Sequence, residues 1–205
     1  MTRIELTMEY IINNREYIEG YILNIISNIE YESKLGRQIA YVIEDDMIEI
    51  FKEYLNNELK NIVRRGDLIP KHTKTLEDLS YNNILFDTKT SNEKYEGGKD
   101  LISGNTLLKN LDKCIFYIIC LYEEVGDSYI FNRVIIRHYR ELNYDKFYYN
   151  NGGIQYHNKA IKEDYKMKTK EEIRNMIIRK TIVSNNKKMR KLTLENDRLT
   201  KLISN

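Results

Sequence analysis

Apolar residues recur along the first part of the chain at helical spacing. Tyr10, Tyr17, Ile18, Tyr21, Ile22, Ile25, Ile26 and Ile29 form one amphipathic stripe. Ile39, Val42, Ile43, Met47, Ile50, Phe51, Tyr54 and Leu55 form a second, after a break at Gly36. The pattern stops around Arg65-Gly66-Asp67, and Pro70 predicts a loop. The rhythm then changes. Ile84-Leu85-Phe86 running into Asp87-Thr88-Lys89-Thr90 predicts a strand. Cys114 to Tyr122, apolar on both faces, predicts a strand central in a sheet. Residues 129–136 predict a third, hairpinned to it through Gly126-Asp127. Leu107, Leu108 and Leu111 suit a short helix between the first two strands, which makes the order α/β. Near the end, Thr169-Lys170-Glu171-Glu172 has capping-box spacing and predicts the start of a long helix. Within it Ile182, Met189, Asn196 and Ile203 lie seven apart, as do Asn185, Leu192 and Leu199. Those heptads suit either a coiled-coil-like dimer contact or a helix packed on its own domain.

Composition adds limits to this picture. A chain of 205 residues with 41% hydrophobic residues, 17 tyrosines and one proline can bury a core and is neither disordered nor proline-rich. Cys114 and Cys120 sit within an apolar run, too far apart along a strand to bridge, and read as buried thiols of a reducing compartment. No zinc-ligand spacing joins the scattered His72, His138 and His157. No apolar run is long enough to cross a bilayer, so the expectation is a cytoplasmic, membrane-free protein. The net charge of +2 conceals a strong asymmetry. Residues 159–205 hold 14 basic and 6 acidic groups, a surplus of +8, while the rest of the chain is acidic. That segment is a candidate footprint for a polyanion or, equally, a solvated helix.

The candidate chemistry lies at Glu77-Asp78, eight residues, then Asp87-Thr88-Lys89. On a strand, residues 87 and 89 project from one face, fixing a carboxylate beside an ammonium. Asp78, on the preceding turn or neighbouring strand, can fold back to face Asp87. Two carboxylates converging on one point suit Mg²⁺, with water and a phosphate oxygen completing its shell. Phosphodiester hydrolysis needs neutralised charge, an in-line water and a lowered water pKa, and two acids with a lysine supply these roles. Acid-x-Lys also occurs at Glu32, Glu58 and Asp164, but only Asp87 follows an apolar strand with an acid upstream. The plain alternative is a surface ion pair on an edge strand.

At these residues the sequence resembles the PD-(D/E)XK nuclease superfamily, and in particular its type II restriction endonucleases. Asp87-Thr88-Lys89 matches the second half of that motif. Asp78 best matches the first acid, although Glu77 replaces the proline, which leaves Glu77 and Asp67 open as alternatives. The resemblance implies a restriction-endonuclease-like core, a mixed β-sheet flanked by helices over residues 1–168, followed by a basic C-terminal helix over 169–205. It implies a homodimer that cleaves double-stranded DNA at a palindrome using Mg²⁺, with Mn²⁺ able to substitute, leaving 5′-phosphate and 3′-hydroxyl ends. Asp78 and Asp87 would be metal ligands, Lys89 would activate water, and Glu44, on a helix before the core, would be the further glutamate many members carry. Otherwise Glu44 is a solvated acid in Glu44-Asp45-Asp46.

Two segments read as DNA contacts. Asn150 to Asn158 is crowded with amides around Gly152-Gly153. Asn151, Gln155 and Asn158 can donate and accept at the N6/N7 edge of adenine, with His157 among them, which suits an A·T-rich site. An ordinary Asn-Gly turn has the same composition. The loop after the candidate catalytic strand brings Lys94 and Lys99, and the last helix brings Lys170 and Arg174, as phosphate contacts. Two other functions compete: a structure-specific repair or junction nuclease, and a non-enzymatic basic DNA-binding protein in which Asp87 and Lys89 are an ion pair only.

Overall fold

Thr2 starts the first helix. Its hydroxyl accepts from the Glu5 N–H while the Glu5 carboxylate accepts from the Thr2 N–H, a reciprocal cap on α1 (Arg3–Asn13). At Asn14 the side-chain amide donates to the Tyr10 carbonyl and the backbone turns to φ −107°, ψ 15°. A local amide bond of this kind competes with the helix ladder. The single stripe predicted from Tyr10 onward is therefore two helices, α1 and α2 (Arg15–Ile26). The second predicted helix is α3 (Ile39–Glu58), and Ile39, Ile43, Met47, Phe51, Tyr54 and Leu55 are buried along it. The computed structural model describes residues 2–31, 39–58, 79–81, 83–94, 101, 104–149, 154–156, 161 and 166–200. It gives the backbone alone at 69–70, 99–100, 150, 153 and 201–203.

The expected mixed sheet with flanking helices is present. Strands β1 (Ile69–Pro70), β2 (Leu79–Tyr81), β3 (Ile84–Asn92), β5 (Cys114–Val125) and β6 (Ser128–His138) lie in the order β1-β2-β3-β5-β6. β3 and β5 run parallel, joined through the short helix α4 (Gly104–Lys109); the other neighbours are antiparallel. Pro70 corrects one expectation. It stands in a strand, not a loop, and that strand is at the sheet's edge, where a residue without an N–H costs no ladder bond. The predicted hairpin turns at Gly126, whose φ of 62° favours a residue without Cβ. A bulge follows: β5 steps from Leu121 to Tyr122 while β6 steps from Arg133 to Phe131, which makes Asn132 the extra residue.

β5 is central, and its side chains alternate between two cores. Phe116, Ile118, Cys120 and Tyr122 join the core beneath α1–α3. Ile115, Tyr117, Ile119 and Leu121 join a second core on the other face. Both cysteines are free, and burial pushes both thiols up to about 12. The second core is closed by a small sheet of β4 (Lys99–Asp100), β8 (Gly153–Tyr156) and β7 (Tyr148–Asn150), in the order β4-β8-β7. The first turns of a 34-residue helix, α5 (Lys170–Ile203), complete it.

The predicted cap of α5 forms in full. Thr169 Oγ1 accepts from the Glu172 N–H, and the Glu172 carboxylate accepts from the Thr169 N–H. Because Ile173, Met176 and Ile177 just beyond it are buried, loosening the cap loosens the second core. Thr169→Ala is expected to lower stability by about 1 kcal/mol, read as a shifted urea midpoint at constant slope.

Helix-borne glutamates close two stretches of sheet edge. Glu19 of α2 accepts from the Ile136 N–H at 2.7 Å and lies 3.5 Å from the Arg137 guanidinium. Nearby, His138 is buried, its ring against Phe116 and Tyr139. Burial, then the charges of Arg140 and Arg15, push its pKa down to about 3. Unfolded, the same imidazole takes a proton near pH 6.5. Its contribution is therefore intact above that pH and is lost as pH falls toward 3, with a limiting slope of ~1.4 kcal/mol per pH unit. His138→Gln keeps an acceptor for the Arg140 N–H but does not titrate. Its stability, followed by urea unfolding between pH 7 and 4, is expected to fall less steeply than that of the natural protein.

Candidate active site

β3 places the candidate residues through its alternation. Ile84 and Phe86 point into the first core and Leu85 into the second. Asp87 and Lys89, at odd positions like Leu85, share the second face, as the period-two argument predicts. In register they stand beside Tyr117 and Ile119 of β5. Lys89 Nζ donates to Asp87 Oδ1 at 2.7 Å; the Asp87 side chain is 8% exposed and that of Lys89 24%. A carboxylate and an ammonium are thus locked together at the margin of a core.

Glu44 approaches from α3. Its Oε1 accepts from the Thr90 backbone N–H at 2.9 Å and from the Thr90 hydroxyl at 3.1 Å. Among the described residues β2 pairs with β3 only as far as Phe86, and the Thr90 N–H beyond it meets a side chain of α3. Glu44 fills that place and is not a solvated acid. The difference from the sequence alternative has a physical reason: an edge N–H is a donor that burial requires to be met.

The two acids act on one phenol. Tyr156 of β8 is fully buried, and among the described residues its hydroxyl has no hydrogen-bond partner. Burial first, then the negative charges of Glu44 and Asp87, drive its pKa far above the ordinary tyrosine value. Tyr117, also buried, is raised by burial and then by Asp87. Glu44 from the sheet edge and Asp87 from its face are thus both close enough to act electrostatically on Tyr156. Tyr156 is the residue that sequence reasoning missed as part of this site. Its only signal was a place in the amide-rich segment, where an aromatic residue reads as core.

The expected DNA contacts are distributed as follows. Lys99 pairs in register with Tyr156 and Asp100 with Gln155, so the segment after β3 returns to lie beside the amide-rich one in a single small sheet. Gln155 is half-buried and also faces Tyr148 in register. Lys94 is exposed at the far end of β3, its ammonium 2.7 Å from Glu123. Lys170 is exposed on the first turn of α5, and Arg174, also exposed, lies 3.8 Å from Glu171. Asp78, Glu77, Asp67, Asn151, His157 and Asn158 lie outside the described residues.

Among the described residues, no three His, Cys, Asp or Glu side chains are grouped to hold a metal ion. The donor chemistry nonetheless suits a hard cation. Mg²⁺ takes one or two carboxylates and keeps several waters, and Asp87 offers carboxylate oxygen beside the buried phenol. Among the described residues, no helix is long and apolar enough to cross a membrane.

No family model matches the chain, and no curated protein matches it. Among solved structures, the NlaIV restriction endonuclease is similar over 56% of this chain and 54% of its own, at 14% identity and a TM-score of 0.36. The chain thus matches about half the length of that protein, and a likeness so slight carries neither fold nor chemistry.

Proposed function

We propose that the protein is a Mg²⁺-dependent, site-specific endonuclease of the type II restriction class that hydrolyses double-stranded DNA, with Mn²⁺ able to substitute. The observation that carries this reading is the Asp87–Lys89 pair, held side by side on one face of β3 with Glu44 and Tyr156 at hand. Asp78 and Asp87 would hold the metal, which when bound supplies charge neutralisation and an acidified water. Lys89 Nζ, partly exposed, would turn from Asp87 to a water or phosphate oxygen and hold it in line. Tyr156 would keep the floor of the site dry. The PD-(D/E)XK resemblance adds 5′-phosphate and 3′-hydroxyl ends and a homodimer whose two-fold axis matches a palindrome. Segment order resembles that of SwaI, a cutter of an A·T-only site, and the amides at Asn151, Gln155 and Asn158, with His157, would read such pairs. Lys94, Lys99, Lys170 and Arg174 would neutralise phosphates.

The 2.7 Å ion pair favours a second reading, a basic DNA-binding protein without catalysis. Incubation with unbranched plasmid DNA decides between them. Discrete fragments with Mg²⁺ and none with chelator support the endonuclease. Intact plasmid across divalent ions and salt concentrations overturns it, and cutting confined to branched DNA would point to a junction nuclease. Sequencing the fragment ends then gives the site.

A further inference from the structure

The long C-terminal helix outruns the body it caps. Ile173, Met176 and Ile177 are buried in the second core, and Ser184 still reaches back, its hydroxyl donating to the Tyr149 carbonyl. From Asn185 to Thr200 every residue is exposed. Yet this is not a wholly polar helix. Ile182, Met189, Leu192 and Leu199 are each more than half exposed, and with Asn185 and Asn196 they form a continuous a/d seam. Val183 and Leu194 lie off it. Such a seam gains little from water on all sides and much from a second helix.

Within this seam the two asparagines identify the occupant. A buried asparagine in a coiled-coil seam is tolerated when it meets another amide, and so selects register. In an antiparallel pair, a positions meet d positions of the other helix. Setting Ile182 against Leu199 of a second copy places Met189 against Leu192 and Asn185 against Asn196. A shift of one heptad in either direction puts asparagine against Leu, Met or Ile. Only one antiparallel register therefore matches amide with amide and apolar with apolar.

Charge separates this arrangement from a parallel one. In the antiparallel register the flanking positions bring Lys188 beside Glu195 of the other copy, twice by symmetry, and Asn186 beside Thr193. In a parallel, in-register pair Lys188 would face Thr193 and Glu195 would face Thr200, with no charge complementarity. We propose that two copies of this chain associate through the exposed half of α5, antiparallel, with Ile182 of each opposite Leu199 of the other. The interface is isologous, closing at two copies. It names the contact surface of the homodimer in the functional reading above, but it rests on the helix itself and not on catalysis.

The test uses the full chain without DNA or metal, so its failure is distinct from a failure to cut. Light scattering at tens of micromolar is expected to give twice the chain's mass. Ile182→Cys and Leu199→Cys are made separately in a Cys114→Ser background and oxidised. A mixture of the two is expected to yield the cross-linked dimer, while neither alone does. In an antiparallel pair the two copies of position 182 lie about 25 Å apart along the axis, from 1.5 Å per residue. Self-cross-linking of either single variant, a dimer in which the mixture fails to link, or a monomer throughout overturns the proposal. Lys188→Glu is expected to weaken the dimer several-fold and Glu195→Lys in the same chain to restore it. Both positions are exposed, and unchanged helix content by circular dichroism confirms that the variants fold.

Discussion

Asp87→Asn is expected to slow Mg²⁺-dependent cutting of plasmid DNA by at least ~10²–10³-fold, the order of loss when one preorganised electrostatic group, here a ligand of the proposed metal, is removed from a site. The substitution is nearly isosteric. The amide oxygen can still accept from Lys89 Nζ, so the 2.7 Å contact and the packing against Tyr117 can persist while the negative charge is gone. Loss of activity with an unchanged thermal midpoint would therefore report on chemistry and not on folding. Calorimetry with Mn²⁺ gives an independent reading, since the variant should lose the heat of ion binding expected of the natural protein. Cutting by Asp87→Asn at the natural rate would move the active site elsewhere and leave the Asp87–Lys89 pair as structural.

Phe86→Ala is expected to cost about 3–5 kcal/mol, a large part of the 5–15 kcal/mol typical of a folded domain. The ring is fully buried, edge-on to Phe51 of α3 at 4.8 Å and stacked near Phe116 of β5 at 5.9 Å. Its loss opens a hole between helix and sheet that rigid neighbours cannot fill. Urea unfolding measures the loss directly, and a change under about 1 kcal/mol would show that α3 is not anchored there. The consequence reaches the site. Phe86 precedes Asp87, and α3 carries Glu44 to the Thr90 N–H, so the same ring sets helix and strand against each other. Phe86→Leu keeps most of the volume and should lose correspondingly less.

The helices and strands that carry this site were legible from spacing because each buries one face or both. The 3.6-residue stripe of α3, the apolar run of β5 and the capping box of α5 all correspond to observed contacts. Local chemistry was readable too: Asp87 and Lys89 share a face because side chains alternate. The break at Asn14 was missed because a side-chain amide bonded to its own helix leaves the hydrophobic pattern intact. Pro70 misled because proline marks loops and edge strands alike, and only the sheet order tells which it is.

Sequence alone determined the α/β order, the shared face of Asp87 and Lys89, and the heptads of the last helix, since each depends on residues near one another in the chain. The tertiary structure decided what Glu44 accepts from, that Tyr156 lies under the influence of both acids, and which half of α5 is covered. Those facts join residues far apart in the chain, 35 positions between Ser184 and Tyr149 and 46 between Glu44 and Thr90, and no periodicity records them. Which edge N–H meets a helix glutamate, and which buried phenol lies near both acids, is fixed only when α3 and the small sheet pack on opposite faces of the main sheet.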